Sequence, residues 1–128
     1  MQNTVVVHFP GGKLLKGVTN NFFPNKARFH LTLRDTGEVV EVPLSGIKAV
    51  FFVKGFDGNP EYRDRADTER TGLGRKLQVE FSDGEVLVGY SQGYAPNRQG
   101  FFVFPVDPDS TNDRIFVMNE ATSAVQFL

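Results

Sequence analysis

Two short stretches of the chain set an amide and a cation behind a proline: Pro24-Asn25-Lys26 and Pro96-Asn97-Arg98. An aromatic precedes each, Phe22 in the first and Tyr94 in the second. An amide, a cation and a nearby ring can together hold a phosphate, a carboxylate or the backbone of a partner. Turn chemistry explains Pro and Asn without any ligand, because Pro fixes φ and Asn tolerates the left-handed region. It does not explain why a positive charge stands at the third position both times. Asn25, Lys26, Asn97, Arg98, Phe22, Tyr94 and the adjacent Arg28 are therefore the candidate ligand- or partner-binding residues.

Other chemistry is thinly represented. The chain has no cysteine, which excludes disulfides, thiolate metal sites and a Cys nucleophile. Its two histidines, His8 and His30, stand on separate strand-like runs without a carboxylate at metal-ligand spacing, so ordinary surface or core roles are expected for both. Asp107, Asp109 and Asp113 crowd one turn but lack the sharp-turn Gly and closing Glu of an EF-hand loop, which points to a solvated turn. No nucleophile motif or phosphate loop is present. The expectation is a protein that is not an enzyme and needs no metal or cofactor.

The paired loops belong to a longer repetition. Residues 7–31 and 79–103 align at a constant offset of 72 with eight identities in 25 positions, where composition alone gives roughly one or two. The identities are Val7/Val79, Phe9/Phe81, Gly12/Gly84, Leu15/Leu87, Gly17/Gly89, Pro24/Pro96, Asn25/Asn97 and Phe29/Phe101. Beyond "VDPDSTND" the register resumes at offset 75, matching "KAVFFV" at 48–53 with "SAVQFL" at 123–128. Each repeat reads as about five short strands. "LQVEF" at 77–81 alternates apolar and polar most clearly, and Gly11-Gly12 and Asp83-Gly84 are hairpin dipeptides. Gly17 and Gly89 fall mid-strand, where a small sheet can bend. Asn20 and Gln92, just before the Pro-Asn loops, are expected to hydrogen-bond local backbone.

The predicted organisation is a first β-barrel repeat over 1–53, a charged connector over 54–75 and a second repeat over 76–128. Pro60 would suit the first turn of one short helix over "PEYRDRADTER" within the connector. Thirteen Phe and no Trp, with Phe pairs at 22–23, 51–52 and 101–102, imply strands covered on both faces. Residues 5–53 carry six basic and three acidic side chains, and 76–128 carry three and seven, so the halves have opposite charge and can dock on each other or head to tail between chains. Overall the chain is nearly neutral, with 14 basic and 15 acidic residues, which disfavours nonspecific attraction to nucleic acid or anionic membrane. No apolar run nears the roughly 18 residues of a membrane span, and "MQNTVVVHF" has no signal-peptide pattern, so a cytoplasmic location is expected.

"DGEVLVGYSQGY" places an Asp-Gly turn, Gly89 and Tyr94 at spacings matched by Gly12, Gly17 and Phe22. This spacing resembles the Sm-like family, whose strongly bent five-stranded barrels assemble into rings and bind single-stranded RNA. The resemblance implies an all-β fold of two tandem SH3/Sm-like antiparallel barrels packed as a pseudo-twofold unit. It does not carry the RNA contacts: Phe23 and Ala95 stand where the family has an acidic residue, and "PLSGI" and "MNEATSA" replace its Arg-Gly pair. The second-messenger signature of PilZ-type barrels is absent as well, since Arg63, Arg65 and Arg70 have other spacings. The "PN(K/R)xxxF" loops and "AVxF" endings together also resemble an uncharacterised family of small bacterial proteins. The function expected is a binding or scaffold module that recognises a protein partner or assembles with itself. The alternative is single-stranded nucleic-acid or nucleotide binding by the basic first repeat, through Lys13, Lys16, Lys26 and Arg28.

Overall fold

Runs of Val, Leu, Ile and Phe broken every few residues by Gly, Pro and Asp leave the backbone little choice but short extended segments. The computed structural model describes residues 2–55 and 70–128, and its strands fall on those runs. They are β1 (Asn3–His8), β2 (Leu14–Thr19), β3 (Arg28–Leu33), β4 (Val39–Pro43), β5 (Ala49–Val53), β6 (Arg75–Phe81), β7 (Val86–Ser91), β8 (Gly100–Pro105), β9 (Asn112–Met118) and β10 (Thr122–Phe127). One 3-10 turn, Asn119–Ala121, precedes β10. Most of the expected connector helix, including Pro60, Arg63 and Arg65, lies outside the described residues. No helix among the described residues is long and apolar enough to cross a membrane.

All ten strands pair antiparallel in a single sheet of order β10-β6-β7-β8-β9-β5-β1-β2-β3-β4. Five strands at a time, the order is the same: β5-β1-β2-β3-β4 on one side and β10-β6-β7-β8-β9 on the other. The sheet is not closed, since β10 and β4 end it. In place of two five-stranded sheets, the β5–β9 ladder makes one, with Ala49 opposite Val117, Val50 opposite Phe116, Phe51 opposite Ile115 and Phe52 opposite Arg114. The physical reason is that β5 has a free edge beyond β1 and β9 one beyond β8. Two unpaired rows of backbone N–H and C=O groups satisfy each other when joined.

Two apolar cores lie against this sheet, and each draws on both halves. Val5, Val7, Phe29, Leu31, Val42, Val50 and Phe52 form the first with Phe116 and Met118 of β9. Leu77, Val79, Phe81, Phe101, Val103, Ile115 and Val117 form the second with Ala49 of β5. The Phe pairs divide between them: Phe52 and Phe102 belong with the first core, Phe51 and Phe101 with the second. Strand alternation puts consecutive rings on opposite faces, so these two pairs are packing residues, whereas Phe23 of the third pair is 53% exposed.

The ladder from β2 to β3 holds only two residue pairs, as does that from β7 to β8. Gly17 and Gly89 stand in these ladders, opposite Leu33 and Pro105. A Cβ on Gly17 would lie 2.2 Å from the Thr32 carbonyl oxygen, and one on Gly89 2.4 Å from that of Phe104. The mid-strand glycines are thus required for close approach of the next strand.

Candidate functional site

The two Pro-Asn loops meet on one side of the sheet. The Gln99 side-chain amide donates to the backbone oxygens of Pro24, at 2.5 Å, and Lys26, at 2.8 Å, binding the first loop to the second. Asn119 does the same for the second loop, donating to the carbonyls of Ala95 and Arg98 at 3.0 and 2.8 Å. Pro24, Asn25, Arg98, Gln99 and Gly100 border a shallow cavity of about 350 Å³. Asn25 and Arg98 therefore come together across the halves. Lys26 and Asn97 are exposed in their loops.

The other candidate residues are placed elsewhere. Phe22 is a packing residue, with its ring centroid 5.2 Å from Phe29, 5.3 Å from Phe52, 5.3 Å from Phe116 and 6.3 Å from Phe102. These edge-to-face contacts pack it, half-buried, against the first core. Tyr94 packs on Phe101 and Phe127 and borders a different cavity, beside β10. Arg28 lies on β3, where its guanidinium donates to Glu41 of β4 at 2.8 Å. Of the other cations weighed for nucleic acid, Lys13 stands over the Phe9 ring beside the β1–β2 turn and Lys16 is on β2.

Backbone-directed amides occur, with one shift of position. Gln92 donates to the Gly72 carbonyl. In the first half the working residue is Asn21, not Asn20: its side chain bonds both the backbone N–H and the ring of His30. His8 is stacked on Phe51 at 3.9 Å, and burial pulls its pKa below the ordinary value, against Glu85 and with Lys48. Asp107, expected in a solvated turn, is buried at 1% exposure and accepts the backbone N–H of Asp109. Its carboxylate closes the turn, while Asp109 and Asp113 remain exposed. Among the described residues no three His, Asp or Glu side chains gather as a metal site.

A cluster that sequence reasoning missed ties the halves together. Lys48, just before β5, is only 9% exposed in its side chain, and its ammonium bonds Asp83 at 2.8 Å and also Glu85, both in the β6–β7 turn. The same ammonium stands 4.6 Å from the centre of the Phe81 ring. The opposite charges of the two halves were the available signal, but not the residues that would use them. Across the β5–β9 ladder Arg114 lies over both Phe52 and Phe102, at 4.5 and 4.6 Å. Gly46 donates its N–H to Glu120 of the other half at 2.7 Å.

Burial pulls the Lys48 ammonium down, but its hydrogen bonds to Asp83 and Glu85 outweigh this and hold it above the usual lysine value. The Lys48 hydrogen bond, followed by the Glu85 backbone N–H, holds Asp83 below the usual carboxylate range. A depressed carboxylate contributes stability that is complete above its unfolded pKa and lost as pH falls through the folded one. The raised lysine contributes stability that is present below its unfolded pKa, while its partners are ionised, and is lost as pH rises through the folded one. Asp83→Asn is therefore expected to lower urea stability at pH 7, and the gap to the wild type should close as pH drops through the carboxylate range. A gap of constant size across that range would mean that Asp83 acts only by its shape.

No curated protein and no solved structure matches the chain. A family of unknown function (DUF6982) matches it over residues 1–128. The paired loops, the shared cores and the doubly paired β5 are thus features of a protein that belongs to this family of unknown function.

Proposed function

We propose that the chain is a non-enzymatic scaffold of two tandem SH3/Sm-like repeats that recognises further copies of itself through the two ends of its sheet. The observation that carries this reading is the β5–β9 ladder. By the sequence offsets, β10 is the counterpart of β5 and β4 the counterpart of β9. The chain thus joins one such pair of edges internally and ends in the other pair, unjoined.

Among the described residues the edges are only partly guarded, by a register shift between Thr122 and Ala124 on β10 and by Glu41 and Pro43 on β4. Val39 on β4 is 60% exposed, and Phe127 and Leu128 at the end of β10 are 40% and 61% exposed. Natural sheets commonly guard free edges with lysine, bulges or covering loops, because an open row of N–H and C=O groups invites pairing. Joining β10 of one copy to β4 of the next is a heterologous contact, which closes into a ring or continues as a filament according to the rotation between copies.

Sedimentation or light scattering from about 1 µM to about 1 mM tests this. A mass that rises with concentration is expected, reversible on dilution. A strict monomer over the whole range would overturn the proposal.

A further inference from the structure

The cavity beside β10 has a counterpart inside the molecule that is already filled. At the β5–β9 ladder, Phe22 meets two rings of its own half, Phe29 and Phe52, and two rings of the other half, Phe102 and Phe116. The offsets of 72 and 75 carry Phe22, Phe29 and Phe52 onto Tyr94, Phe101 and Phe127. The first part of the arrangement recurs, with Tyr94 4.9 Å from Phe101 and 5.9 Å from Phe127. The second part does not. No further ring meets Tyr94 or Phe127 among the described residues; they border a cavity of about 350 Å³ with Gly74, Arg75, Ser91 and Gln92.

The same offsets carry Phe102 and Phe116 onto His30 and Glu41, which lie exposed 3.8 Å apart at the opposite end of the sheet. We infer that the β3–β4 edge of a second copy of this chain seats His30 and Glu41 in the cavity beside β10. This rests on the edge-to-edge reading above and names the contacts that would make it specific.

The chemistry has changed on both sides together. The internal contact is ring against ring. On the receiving side, Tyr94 has a hydroxyl where Phe22 has none. Ser91 is 4% exposed, and its hydroxyl finds no hydrogen-bond partner among the described residues. The Arg75 guanidinium lies over the Phe127 ring at 4.2 Å. On the entering side, a carboxylate and an imidazole replace two phenyl rings. Glu41, already held by Arg28 at 2.8 Å, would gain a second guanidinium and the Tyr94 hydroxyl on entering, donors that a carboxylate leaving water needs.

Register follows from the internal ladder. Ala49 opposite Val117 becomes Ala124 opposite Val42, and Val125, Gln126 and Phe127 then face Glu41, Val40 and Val39. The exposed Val39 and Phe127 thereby cover each other. One backbone bond of the internal ladder, from Met118 N–H to the Lys48 carbonyl, has no equivalent, since Met118 corresponds to Pro43. The intermolecular contact is accordingly the weaker one and dissociates first.

The natural absence of cysteine makes the register directly testable. Val40→Cys and Gln126→Cys proteins, mixed and oxidised, are expected to give a disulfide-linked dimer that neither forms alone. Glu38→Cys with Gln126→Cys, out of register, should not cross-link. Glu41→Gln and Arg75→Gln are each expected to weaken association about tenfold, with monomer melting measured alongside because Glu41 also pairs with Arg28 and Arg75 stands over Phe127. If the wild type associates but Val40→Cys with Gln126→Cys fails to cross-link and Glu41→Gln associates normally, the seating of His30 and Glu41 is wrong while edge-to-edge assembly stands. A wild type that stays monomeric removes the assembly itself, and this contact with it.

Discussion

Gly89→Ala is expected to destabilise the protein by about 3 kcal/mol, at the upper end of what overpacking a close contact costs. The added methyl would lie 2.4 Å from the Phe104 carbonyl oxygen and 2.5 Å from a methyl of Val103. The first neighbour is backbone and cannot rotate aside. β8 must therefore move off β7, and the ladder between them has only two residue pairs to lose. For a chain of this length the change corresponds to a fall in melting temperature of about 10 °C. Gly17→Ala should behave alike, because its new methyl meets the Thr32 carbonyl at 2.2 Å. Gly93→Ala is the control: nothing lies within 4 Å of its new methyl, and its φ is not positive. Urea melts of the three variants decide the matter. If Gly89→Ala and Gly93→Ala melt together, close approach of β7 and β8 is not what the glycine provides.

Phe116→Ala is expected to cost about 4 kcal/mol, the range for a phenyl ring removed from a packed core. Phe116 is 1% exposed, yet it belongs by sequence to the second half and packs in the core of the first. It meets Phe22 at 5.3 Å and Phe102 at 5.1 Å. Its loss opens a cavity at the contact that joins the halves, and the surrounding rings are too rigid to fill it. Phe23→Ala provides the comparison, being 53% exposed beside a partner that is packed. That variant should stay within about 0.5 kcal/mol of the wild type. Equal losses from Phe116→Ala and Phe23→Ala would show that the aromatic cluster contributes nothing beyond ordinary surface contact.

How far these features can be read from residues alone depends on the range of the interaction. Strands were legible because their signals are local. The alternation in "LQVEF" reappears as burial of Leu77, Val79 and Phe81 with Glu80 exposed. The mid-strand glycines were seen, but as bends; their close contact with the next strand needs coordinates. The β5–β9 ladder was not legible, since nothing in "AVFFV" names the strand that will lie beside it. Lys48 was invisible for the same reason: its partners Asp83 and Glu85 are 35 and 37 residues away. The Pro-Asn loops were legible as turns, and their meeting was not. Gln99, which joins them, has Ala27 as its counterpart, so the repetition itself concealed it.

The shared cores also bear on how the two halves unfold. Phe116 and Met118 of β9 complete the core of the first half, and Ala49 of β5 completes that of the second. Separated from one another, the halves would each keep an unfinished core and an unpaired edge strand. The two repeats therefore make one cooperative unit, expected to melt in a single transition.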